Sequence, residues 1–153
     1  MLKAFLMAMG LAFAALAPAA SPAVAATWTG AKGDQPAVSG YDPVAYFAGA
    51  PAVGDAALSH VFEGATYRFA SVANRAAFIA NPEKYAPQFG GYCAWAASQG
   101  RLAGPDPTIW HIVDGKLYLN CSKDADAKWL ADRPGNIAKA EAFWDAHEYG
   151  AEP

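Results

Sequence analysis

Cysteine is scarce in this chain. Only Cys93 and Cys121 are present among 153 residues, so at most one disulfide could help to hold the fold. A chain of this length buries enough apolar surface to do without such staples. Basic clusters are missing as well. The 11 Lys and Arg stand against 14 Asp and Glu, for a formal charge of −3, and the basic residues are scattered. That argues against nucleic acid or anionic lipid as a partner. Beyond the N-terminal segment, no apolar run is long enough to cross a bilayer. Paired-carboxylate motifs, phosphate loops, nucleotide fingerprints and internal repeats are all absent.

The N-terminus reads as a secretory signal peptide over residues 1–25. Lys3 supplies the positive end, Ala4 to Leu16 the apolar stretch, and Ala23-Val24-Ala25 the small-residue cleavage site. The expected address is periplasmic or secreted. In that oxidising setting Cys93 and Cys121 are a disulfide candidate. Closing a loop of about 30 residues contributes about 3.5 kcal/mol in the chain-entropy picture. The alternative is one buried thiol and one functional thiol. Residues 26–36 read as a tail pinned by Trp28, 37–147 as a single domain, and 148–153 as a C-terminal tail.

The pattern of elements predicts an α+β fold, with two antiparallel hairpins packed against several short helices. The first hairpin is expected to turn at Gly64-Ala65. That register pairs Phe62 with Tyr67 and His60 with Phe69, and leans His60 inward. Ser71 is placed to N-cap a helix whose apolar stripe is Val72, Ala76 and Ile79. Asn81-Pro82 ends that helix, and Pro82 starts a short turn through Tyr85. A helix over Tyr92 to Gln99 puts Cys93 in its first turn, where the dipole would lower the thiol's pKa. The second hairpin turns at Asp114-Gly115. It pairs Ile112 with Leu117, Trp110 with Leu119 and Thr108 with Cys121 on the core face. His111 and Tyr118 fall on the opposite face, as a surface pair. Helices over Lys123 to Ala131 and Asn136 to Ala146 follow, split by Pro134-Gly135. Ile137, Ala140 and Trp144 make the inner stripe of the second.

Gly40-Tyr41-Asp42-Pro43-Val44-Ala45-Tyr46-Phe47 opens a longer motif. It continues through Tyr67-Arg68-Phe69-Ala70-Ser71 and Asn81-Pro82-Glu83-Lys84-Tyr85. It closes on Gln88-Phe89-Gly90-Gly91-Tyr92-Cys93. Together these resemble the YHS domain, a small module linked mainly to heavy-metal handling. The resemblance implies a YHS-like fold and, in metal-type members, cysteines at three slots. Here those slots hold Ala45, Ala70 and Asn74. A methyl group cannot ligate a metal, so the three-cysteine site is not carried over. The chain looks most like exported, single-domain YHS proteins, whose pattern also covers Trp110 through Asn120 and a closing Trp144.

Several side chains remain candidates for chemistry. Cys93 and His60 are the candidate metal ligands, for copper first and for zinc or iron after it. Tyr41 and Cys93 are the candidate contacts for a small ligand. The competing reading makes Cys93 a buried apolar residue and His60 a hydrogen-bonded core residue. Gln88 before Cys93, with Trp95 nearby, resembles a papain-type arrangement. The tryptophan is not adjacent to the cysteine, and too little chain follows for partners roughly 130–150 residues downstream. His111 and His147 are the only formal partners left, and His147 is already explained by the welcome a helix C-terminus gives a cation. Three functions stay open: a non-catalytic binding module for a small ligand or metal, a metal-free structural or interaction protein of the cell envelope, and a thiol redox protein using Cys93.

Overall fold

Hydrophobic alternation in two segments, each broken by a two-residue turn, produces two separate antiparallel hairpins. The computed structural model describes residues 27–147. The expected signal segment 1–25 and the C-terminal tail 148–153 lie outside the described residues. The first hairpin is β1 (Asp55–Phe62) with β2 (Ala65–Phe69), and the second is β3 (Asp106–Val113) with β4 (Lys116–Asn120). Helices α1 (Val72–Ala80), α2 (Pro82–Tyr85) and α3 (Ala94–Ser98) lie between the hairpins in sequence. Helices α4 (Lys123–Ala131) and α5 (Arg133–His147) follow them. The fold is α+β, and no helix among the described residues is long and apolar enough to cross a membrane.

The first hairpin turns one residue earlier than its sequence suggests. Phe62 pairs with Ala65 and His60 with Tyr67. The turn residues are Glu63 and Gly64, with φ of 48° and 76°. Two positive φ values match the right-handed strand twist, and Gly64 serves as well in the second turn position as in the first. The pairing shifts by two residues, so every side chain keeps its face. Tyr67 and Phe69 are therefore buried as expected, while His60 is only half-buried.

The second hairpin follows its expected register from Trp110↔Leu119 to Val113↔Lys116. Beyond Trp110 the ladder is irregular, so Asp106 pairs with Asn120 and the Thr108–Cys121 pair does not form. Leu117 and Leu119 join the main core with Tyr46, Tyr67, Phe69 and Phe78, and Trp110 and Ile112 pack against it. The opposite face is covered too, contrary to the surface expectation for His111 and Tyr118. Tyr118 is 2% exposed and packs with Phe89, Trp129 and Ala140.

Helix α1 corrects another expectation. Ser71 caps it as foreseen, accepting the Asn74 N–H at 3.1 Å. The stripe of Val72, Ala76 and Ile79 nevertheless faces outward, with Val72 69% exposed. Phe78 is the buried residue, within 4.7 Å of Tyr67 and 5.2 Å of Phe69 between ring centroids. The first hairpin turns an aromatic face toward α1, and Phe78 packs its ring on Tyr67 and Phe69, where aromatic contacts add to burial.

Pro134 and Gly135 begin α5 rather than separating two helices. Proline suits the first turn because its missing N–H has no intrahelical partner there. Asp132 accepts the Gly135 N–H at 3.2 Å. Asn136, 3% exposed, donates to the Trp129 carbonyl at 3.0 Å and so closes the end of α4. Ala140 is fully buried with Ile137 and Trp144 against it, as the sequence stripe suggests. At the other end, Trp28 donates to the Gly90 carbonyl at 2.8 Å. Its ring lies so close to Gly104 that a Cβ there would fall 2.5 Å from it.

Candidate functional site

Two polar clusters stand out against the apolar core. The first centres on Asp42, which is fully buried. The Asp42-Pro43 turn aims one carboxylate oxygen at the Val44 N–H, at 2.8 Å. The other accepts the Ala70 N–H at 2.9 Å and the Asn74 side-chain amide at 2.7 Å. Its own carbonyl accepts the Ala45 N–H at 3.2 Å. A buried carboxylate is costly unless donors surround it, and charge-assisted bonds of this kind are the strong ones. Ala45, Ala70 and Asn74, far apart in sequence, are thus all tied to this one residue. None of the three presents a thiolate here. Two end in methyl groups, and the Asn74 nitrogen is donating to Asp42.

The second cluster surrounds Cys93, which caps the N-terminus of α3 and is fully buried. It is fixed by its own N–H to the Ala103 carbonyl at 3.0 Å and by a parallel bridge to Leu119. Cys121 follows β4 and is half-buried. Both are free cysteines. Their side chains approach to 2.7 Å, and the Cys121 N–H donates to the Cys93 sulfur at 3.1 Å. Burial pushes the Cys93 thiol from its ordinary 9.0 up to about 12, and the neighbouring Cys121 side chain pushes it the same way. The expected lowering by a helix start does not occur. The helix is only five residues long, and desolvation of a thiolate outweighs its weak dipole.

Asn120 connects this pair to a histidine. Its side-chain carbonyl accepts the Trp95 N–H at 3.0 Å, and its amide donates to Asp126 at 2.9 Å. The same Asp126 oxygen meets His111 Nε2 at 2.8 Å. The His111 ring stacks on Trp129, 5.4 Å between centroids. His111 is therefore a braced residue under α4, not part of a surface pair. It reaches Cys93 only through Asp126 and Asn120, which is not nucleophile–base geometry.

The other sequence candidates lie apart. His60 stands against Phe78, 6.3 Å between ring centroids, beside the first hairpin. Cys93 packs with Ala96 and Ala125 in a different cluster. Tyr41 is half-buried against the main core, 6.5 Å from Tyr46, and does not share a cluster with Cys93. Among the described residues, no group of three His, Cys, Asp or Glu side chains is placed to hold a metal. The donor set of Cys93 and His60 does not fit copper, zinc or iron.

Asn120 and Asp126 carry no signal in the sequence. Asn120 ends a strand without breaking its alternation, and Asp126 reads as an ordinary acid in a helix's first turn. Asp42 sits in an Asp-Pro pair, which in the sequence has the look of ordinary turn chemistry. Comparison with family models, with curated proteins and with solved structures finds no match for this chain.

Proposed function

We propose that this chain is a metal-free YHS-type module, exported to the cell envelope, that acts through non-catalytic contacts with a partner protein. One observation carries the reading. The three slots that the resemblance assigns to cysteines are all tied to the buried Asp42: the Ala70 N–H and the Asn74 amide to its carboxylate, and the Ala45 N–H to its backbone carbonyl. In this reading the hydrogen bonds of Asp42 hold these segments together without an ion.

A contact role is favoured over a small-ligand role by the surface. Two open clefts lie beside Phe89 and Trp144, of about 210 and 300 Å³, at or below the lower end of ligand-pocket volumes of roughly 300–1,000 Å³. The outward stripe of Val72, Ala76 and Ile79 on α1 is apolar and uncovered instead. Thermal unfolding of the reduced protein tests the metal-free reading. Micromolar zinc, copper or iron leaves its Tm unchanged. A saturable rise at one metal equivalent would refute the reading.

A further inference from the structure

Cys93 and Cys121 are held side by side by structure that does not depend on a bond between them. Cys93 is fixed by the Ala103 carbonyl and the bridge to Leu119, and Cys121 by its N–H to the Cys93 sulfur. Their surroundings include Ala96, Ala103, Ala125, Trp95 and the Asn120 side-chain oxygen, 3.8 Å from the Cys93 sulfur, and among the described residues no group of three His, Cys, Asp or Glu gathers there. Two thiols in contact, one sealed and one half-open, have one chemistry available to both. We propose that they form a reversible dithiol–disulfide pair in which Cys121 is the entry thiol and Cys93 the resolving thiol. This proposal is independent of the metal-free reading above.

The oxidant is an external disulfide of the glutathione class. In the first step the Cys121 thiolate attacks one sulfur of that disulfide. A mixed disulfide forms at Cys121, the oxidant's S–S bond breaks, and one small thiol leaves with a proton. In the second step the Cys93 sulfur attacks the Cys121 sulfur. The Cys93–Cys121 bond forms, the mixed disulfide breaks, and the second small thiol leaves with the Cys93 proton. The protein loses two electrons and two protons, and the oxidant gains both.

The order follows from exposure. Only Cys121 is open to an incoming disulfide, since Cys93 is fully buried. Burial also keeps Cys93 protonated at neutral pH, and the thiolate is the attacking form. The second step therefore quickens with alkalinity. The finished bond would tie the end of β4 to the start of α3.

The test uses the full chain, reduced and then exposed to oxidised glutathione, with timed acid quenching and peptide mass mapping. A glutathionyl adduct on Cys121 appears first and then gives way to a Cys93–Cys121 linked peptide, faster at pH 9 than at pH 7. Cys93→Ala stops at the Cys121 adduct, whereas Cys121→Ala acquires none while folded. The wild-type time course decides the matter even if a variant does not fold. A first adduct on Cys93 would overturn the proposal. So would two cysteines that both remain fully alkylatable after denaturation.

Discussion

Asp42 and Asn74 meet across 32 residues of sequence, with the Asn74 amide donating to the carboxylate at 2.7 Å. This contact joins the opening turn to the first turn of α1. It is one of three bonds that satisfy a fully buried charge. Asp42→Ala leaves the Ala70 and Val44 N–H groups without their acceptor. Losing charge-assisted partners of this kind costs about 2–4 kcal/mol, read as a fall in the midpoint of urea unfolding. Asn74→Ala removes a single donor and costs about 1–2 kcal/mol.

The direction in which α1 faces can be checked by paired substitutions. Phe78→Ala empties a fully buried ring site and costs about 3–5 kcal/mol. Val72→Gln and Ile79→Gln change the exposed stripe and stay within about 0.5 kcal/mol of wild type. The reverse ranking in chemical denaturation would show that the stripe, not Phe78, faces the core.

Much of this architecture is legible in the sequence, and its failures have physical causes. Asp114-Gly115 announces its turn, and the register from Trp110 to Val113 follows from it. Gly64 is compatible with two turn positions, so the first hairpin's register is ambiguous by two residues while its faces are not. On α1, periodicity picks out Val72, Ala76 and Ile79, but it cannot show that the aromatic face of the first hairpin receives Phe78. His111 and Tyr118 looked solvent-facing because strand alternation cannot show that α4 and α5 cover the second face. The cluster of Asn120, Asp126 and His111 is invisible for a related reason: its members come from two strands and a helix, with no fixed spacing.

Asn120 is fully buried and holds both the Trp95 N–H and Asp126. Asn120→Ala leaves the Trp95 N–H unpaired, takes one of two partners from Asp126, which keeps His111, and costs about 2–3 kcal/mol. It also loosens the site around Cys93, so native-state thiol alkylation accelerates. Equal alkylation rates in variant and wild type would show that Asn120 does not brace the pair.

Alkaline pH should destabilise the fold from above about pH 9. Burial raises the Cys93 thiol from 9.0 to about 12 and the Tyr67 hydroxyl from 10.0 to about 12. Both groups are neutral when protonated, and the unfolded chain releases these protons first. Their stabilising effect is therefore intact below about pH 9 and lost as pH rises towards 12. Urea midpoints between pH 7 and pH 11 measure it, and Cys93→Ala should flatten part of the decline.

The metal-free reading proposed above rests on Asp42, which ties together the three slots that the YHS resemblance gives to cysteines. Zinc titration under reductant tests it most directly, comparing wild type with the triple variant Ala45→Cys, Ala70→Cys, Asn74→Cys. The account predicts no saturable uptake and an unchanged Tm for wild type, and one zinc equivalent with a raised Tm for the triple variant. Stoichiometric zinc binding by wild type, or none by a folded triple variant, would contradict it.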